Sequence, residues 1–227
     1  MDETHLRRRT YLNAAGFFVF FWLILFVPAW TLDFWQGWIY WSIFLAAEVF
    51  IILYFLKKDP ELIRSRLRIG PSAEPERSQK IIQTFGGISY LLVLVIAGLD
   101  HRFGWSSVSP YLAIAGDILI LAAFYVVYLT FRENHFTAAI VEVQNGQTVI
   151  STGPYAWVRH PMYAGTSLLV LASPFALGSL WALIPAFLVI AGIVLRLLEE
   201  EKFLGVNLPG YPEYCTKTRF RLIPFVW

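Results

Sequence analysis

Cysteine is all but missing from this 227-residue chain: Cys215 stands alone, which excludes an internal disulfide and a thiolate metal cage. Charge is scarce too. Only 15% of residues are charged, and 18 basic against 16 acidic side chains leave a formal net charge of +2, so nothing argues for nucleic acid as a partner. The glycine-rich strand-turn-helix of soluble nucleotide-binding folds is missing, and Gly86-Gly87 falls inside an apolar run, where it reads as a helix contact. No His/Asp or Cys/His pair stands out as a general base, no metal is expected, and no internal repeat is found.

Apolar residues are what the chain has in excess. At 57% hydrophobic and 17% aromatic, with a mean hydropathy of +0.58, it carries more apolar surface than a soluble domain can hide. An integral membrane protein of all-α class is expected. Apolar runs extend over residues 11–30, 38–56, 81–99, 111–131, 161–177 and 180–198, which predicts about six transmembrane helices, the last two forming a hairpin across Gly178-Ser179. The first run follows Arg7, Arg8 and Arg9 and resembles a signal peptide in outline. It is too long and too aromatic for one, so it is read as a retained helix. Trp30, Trp35, Trp38, Tyr40 and Trp41 crowd the first turn as an aromatic belt.

Between the runs, residues 57–80 are basic and proline-punctuated, a solvated loop with room for a short interfacial helix. Residues 132–158 are mixed and placed at the membrane surface. Assigning both termini and the loops 57–80 and 132–160 to the cytoplasm gathers there the Lys and Arg residues that lie between the apolar runs, with Arg102 as the exception. A division into a four-helix membrane region, 1–131, and a C-terminal core, 132–227, follows. Glu48 and Asp117 lie within apolar runs, where a neutral or hydrogen-bonded structural role is expected.

The most polar and rigid stretch near the membrane is Gly153-Pro154-Tyr155-Ala156-Trp157-Val158-Arg159-His160-Pro161-Met162-Tyr163-Ala164-Gly165. Gly-Pro opens a turn, and Pro161 suits the first position of a helix while holding His160 extended. Arg159 and His160 are thus presented at a helix N-terminus, which can receive a carboxylate or phosphate, or can serve as the basic flank of a membrane helix. Glu199, Glu200 and Glu201 stand at the other foot of the hairpin, where the helix end is itself negative. They are either solvated carboxylates on a helix that runs on to Gly205 or, facing Arg159 and His160, half of a site with both signs of charge. Such a site fits a zwitterion.

The combination of Gly153-Pro154-Tyr155, Arg159-His160-Pro161-Met162-Tyr163, the hairpin, Glu199-Glu200, Tyr211, Glu213-Tyr214 and Arg221-Leu222-Ile223-Pro224 resembles the isoprenylcysteine carboxyl methyltransferase family and its phospholipid-methylating relatives, over the last hundred or so residues. The resemblance implies a membrane-embedded methyltransferase that uses S-adenosyl-L-methionine. It implies a cytosol-facing cofactor pocket formed by Tyr155, His160, Pro161, Tyr163, Glu199 and Glu200, with Glu200 on the ammonium and His160 and neighbouring backbone amides on the carboxylate. Arg159 and Arg221 are the candidates for orienting an acidic substrate or the cofactor.

Methyl transfer from a sulfonium demands alignment and exclusion of water. The absence of an evident base favours a carboxylate or thiolate acceptor, and the resemblance implies carboxyl O-methylation of an isoprenylcysteine-like acceptor, with phospholipid amine N-methylation or thiol S-methylation as alternatives. The lipophilic acceptor would come from the bilayer lipids. A small membrane transporter is the alternative of another class; it should concentrate polar residues at mid-membrane and show a repeat, whereas here they gather at one surface.

Overall fold

The computed structural model describes residues 3–137 and 139–227, and among them the chain is helical with no strand. Eight α-helices follow in order: α1 (Glu3–Ala29), α2 (Trp35–Lys58), α3 (Pro60–Arg66), α4 (Arg77–Phe103), α5 (Pro110–Glu133), α6 (Pro161–Ala176), α7 (Leu183–Asn207) and α8 (Tyr211–Lys217). Their boundaries follow local chemistry. Asp59 ends α2 and caps α3, its carboxylate accepting the Leu62 N–H at 3.1 Å ahead of Pro60 in the first helical position. Ser109 and Pro110 repeat the device at the start of α5. Gly104 closes α4 in the left-handed region, with φ 64°.

Helices α1, α2, α4 and α5 are long and apolar enough to cross a bilayer, so four helices meet that standard where about six were expected. The other two fall short for different reasons. Helix α6 has only 16 residues, roughly 24 Å of rise; α7 has 25, but it carries Arg196, Glu199 and Glu200 along its length. Helix α6 lies along α5, and α7 lies along α4, which also packs on α1. Side chains such as Leu12, Val19, Ile118 and Ile184 remain exposed on the outside of the bundle, the surface that lipid would cover.

Backbones approach closely where glycine allows it. A Cβ on Gly116 of α5 would stand 2.6 Å from the Ala176 nitrogen of α6, and one on Gly98 of α4 would stand 2.6 Å from the Leu25 carbonyl oxygen of α1. At the far end of the bundle, the buried Asp100 carboxylate accepts hydrogen bonds from the Ser106 N–H at 2.7 Å and from the Ser106 and Ser179 hydroxyls at 2.6 Å. This fastens the α6–α7 turn to the end of α4. Midway, Tyr40 shares hydrogen bonds with Tyr90 at 2.9 Å and Ser173 at 2.7 Å. Asp117 is buried, and neither carboxylate oxygen has a hydrogen-bond partner among the described residues, so of the two expected roles the hydrogen-bonded one is not found.

The two polar loops also differ from the solvated segments that composition suggests. Residues 67–76, 134–137 and 139–158 fold back over one end of the bundle, and Glu74 is only 2% exposed there. Composition misses this because the chain satisfies those polar groups internally, with Glu74 accepting from Gln83, Arg196 and the Val141 N–H.

The glycine contacts give a direct test. Gly116→Ala should force α5 and α6 apart and cost about 1–3 kcal/mol, lowering the thermal midpoint in detergent. Gly16→Ala, where a Cβ meets nothing within 4 Å, should leave the midpoint unchanged or raise it.

Candidate functional site

The end of the bundle under those loops holds a cavity of about 560 Å³, within the range of small-molecule pockets. Its wall draws on α3, α4, α6, α7, α8 and both loops, so it spans the boundary between 1–131 and 132–227. Local sequence explains the placement of the key side chains. Pro161 does begin α6, with His160 immediately before it in a non-helical conformation. Helix α7 runs past its apolar stretch to Asn207, which carries the glutamates to the same rim.

His160 and Glu200 therefore meet, with Nδ1 of the ring 4.0 Å from Oε1 of the carboxylate. The other Glu200 oxygen accepts from the Tyr163 hydroxyl at 2.5 Å, and that hydroxyl accepts from Arg196 Nε at 3.0 Å. Arg196 also bonds Glu74 at 2.6 Å, Gln79 at 3.2 Å and the Ala139 carbonyl at 3.0 Å. A buried guanidinium with its donors spread over a carboxylate, an amide, a carbonyl and a phenol is held in one orientation. It ties the 67–76 loop, α4 and α7 to the Tyr163–Glu200 pair.

Behind this pair lies a second knot centred on Glu201. Its carboxylate stands 2.8 Å from Arg159 Nε, 2.8 Å from Arg221 Nε and 3.3 Å from His160 Nε2. Burial alone would raise the Glu201 carboxyl, but the hydrogen bonds from His160 and Arg221 and the charges of His160 and Arg159 outweigh it and hold the group down at about 2. The tail then closes over the start of α6. The Arg159 N–H donates to the Phe220 carbonyl at 2.9 Å and the His160 N–H to the Arg221 carbonyl at 3.0 Å.

The anticipated site residues consequently divide. Tyr155, Arg159, His160, Pro161, Tyr163 and Glu200 all line the cavity. Glu199 does not; its side chain is 40% exposed and pairs with Lys202 at 2.8 Å. Successive helix positions point about 100° apart, so Glu199, Glu200 and Glu201 reach water, cavity and clamp respectively. Arg221 also lies outside the cavity wall, spent on Glu201. Of the backbone amides around His160, those of Arg159 and His160 itself are taken by the tail.

Sequence reasoning missed Arg196, Glu74 and Arg66, all arranged around the cavity. A signal for Arg196 existed: an arginine inside an apolar run needs a buried partner. None pointed to Glu74, which sits between prolines in a loop. The cavity also contains an imidazole in contact with a carboxylate, His160 with Glu201, so a candidate proton acceptor is present after all. The surrounding phenols cannot play that part: burial pushes Tyr155 up to about 12 and raises Tyr211 and Tyr214 as well, which leaves them hydrogen-bond donors at neutral pH.

Four helices long and apolar enough to cross a membrane are thus capped at one end by a cavity with carboxylate, imidazole and guanidinium groups. Residues 111–207 match the family model described as phospholipid methyltransferase. That match covers under half of the chain, and over those residues the chain is similar to phospholipid methyltransferases. No curated protein matches the chain significantly.

The Glu201 knot predicts a pH response. Its folded value lies below the ordinary 4.5, so the charge stabilises the folded state fully above that value, and the contribution is lost as pH falls from about 4.5 towards 2. Limited proteolysis of the tail should accelerate across that window, and Glu201→Gln should make cleavage fast and flat with pH.

Proposed function

We propose that the protein transfers a methyl group from S-adenosyl-L-methionine to a lipophilic acceptor, first of all the carboxylate of an isoprenylcysteine-like molecule. The observation that carries this is one cavity with two characters. At the rim stand Glu200, His160 and Tyr163; further along, the wall is apolar, with Ile82, Gly86, Val189, Gly192 and Ile193 from α4 and α7. The family match supports methyl transfer as the reaction. The polar rim accounts for a water-soluble donor and the apolar arm for a hydrocarbon tail.

The donor set fits an amino-acid-like group. Glu200 has a tyrosine and a histidine beside it but no lysine or arginine within ion-pair distance among the described residues, so its charge is available to an ammonium. Bound there, the cofactor would supply an electrophilic methyl on a sulfonium, whose positive charge disappears as the methyl leaves. The chain's own part is alignment and dryness. Tyr163 and Arg196 fix the Glu200 carboxylate, the Glu201 knot fixes the His160 ring, and the loops over the cavity keep water out. A carboxylate acceptor requires nothing more, since its oxygen attacks as it is.

A phospholipid amine is the second reading, favoured by the printed name of the matched family and by His160. An amine must lose a proton, and the imidazole beside Glu201 is placed to take it. On either reading the site faces the cytosol, in keeping with the basic flanks of the helices.

Binding of S-adenosylhomocysteine to the purified protein by calorimetry tests the proposal. Glu200→Gln should weaken it roughly 10- to 100-fold, the usual effect of losing one charge-assisted contact; Glu199→Gln should leave it unchanged. An undiminished affinity in Glu200→Gln would remove that carboxylate from the cofactor site. Separately, Gly86 faces open space, so Gly86→Leu should fill the apolar arm and lower turnover of long-chain acceptors while sparing short-chain analogues, measured with labelled cofactor.

A further inference from the structure

Arg66 is the one cavity cation with no carboxylate in ion-pair reach among the described residues. The cavity wall carries three arginines, and two are neutralised: Arg159 by Glu201 at 2.8 Å and Arg196 by Glu74 at 2.6 Å. Arg66, the last residue of α3, bonds only a backbone carbonyl, that of Thr137, at 3.2 Å, and its guanidinium lies 4.4 Å over the Phe131 ring. Glu48 acts on it electrostatically but makes no ion pair with it, and a desolvated guanidinium without a directly bonded carboxylate is costly unless a ligand supplies one.

Its position says which ligand. Arg66 belongs neither to the matched segment 111–207 nor to the Glu201 knot at the watery side. It sits against Phe131 and within electrostatic reach of Glu48, which lies in the apolar stretch of α2, and of Tyr155 and Tyr163 across the cavity. Tyr155 in turn feels both Glu200 and Arg66. The cavity therefore has a free negative pole at Glu200 and a free positive pole at Arg66, and the positive one is turned towards the hydrocarbon-facing helices. An amphiphile entering between those helices would bring its headgroup to this pole.

We propose that Arg66 is the receptor for the anionic oxygen group, carboxylate or phosphate, of the lipophilic methyl acceptor. This rests on the reading of the cavity as a methyltransferase site. The planar fork of the guanidinium matches two oxygens of either group, and it would hold the acceptor head opposite the donor pole.

The test separates this from the cofactor question by measuring acceptor binding without cofactor, on the full-length protein in nanodiscs. The carboxylate arm uses a farnesylated cysteine and its uncharged amide; the phosphate arm uses lysophosphatidic acid and the matching monoacylglycerol. In the wild type, the anionic member of at least one pair should bind roughly tenfold or more tightly than its neutral twin, and the arm in which this happens identifies the source. Arg66→Gln should abolish that preference, Arg66→Lys should restore part of it, and S-adenosylhomocysteine affinity should stay within about twofold in both variants. No preference for the anion in the wild type overturns the assignment without any variant having to fold. Equal loss of cofactor and acceptor binding in Arg66→Gln overturns it too, and would give Arg66 to the cofactor. Failure of the wild type to bind S-adenosylhomocysteine, with the anion preference intact, would sink the methyltransferase site and leave Arg66 an anion receptor.

Discussion

The site end of the bundle depends on keeping charge balanced out of water. Burying a guanidinium or a carboxylate is expensive unless a partner and further hydrogen bonds repay it, and the chain meets this demand twice with the same design. Arg196 gathers Glu74, Gln79, Tyr163 and the Ala139 carbonyl; Glu201 gathers Arg159, His160 and Arg221. Each centre draws on several parts of the chain. Loops that contribute few apolar contacts are thereby held over the cavity, and the tail is held against the start of α6.

The division of labour among the three glutamates follows from that balance. Geometry sends each in its own direction, and each direction has its own electrostatic surroundings: a lysine and water for Glu199, a phenol and an imidazole for Glu200, two arginines and the same imidazole for Glu201. Only the middle one keeps its charge free for something that is not protein. The imidazole between Glu200 and Glu201 couples the two, so the structural knot and the cavity-facing carboxylate share a ring.

Much of this was legible in the sequence, and the rest was hidden for identifiable reasons. Apolar runs located the four long helices because a bilayer-spanning helix needs an uninterrupted stretch. Pro161 announced the start of α6, and the hairpin brought His160 to Glu200 because two helices of similar reach joined by a short turn return to the same level. The similarity to phospholipid methyltransferases was legible in the Arg-His-Pro and Glu-Glu segments, which lie within the matched residues 111–207. What could not be read was pairing over long sequence distance. Glu74 and Arg196 are 122 positions apart, and nothing local to either reveals the other. The same holds for the tail: that the Phe220 and Arg221 carbonyls would take the amides before α6 is a property of how the chain closes, not of any one segment. Glu199 and Glu200, adjacent in sequence, look alike until the helix phase is known.

The far end of the bundle contrasts with all this. There Asp100 joins Ser106 to Ser179, and the close backbone approaches at Gly98 and Gly116 leave no slack. The molecule is thus stapled at one pole and hollow at the other, like a pair of tongs. Because α7 is roughly 37 Å long at 25 residues, a tilt of a few degrees set at the stapled pole becomes a shift of an ångström or more in the jaws. The bore of the chamber is therefore governed in part by serine and aspartate side chains that lie outside its wall.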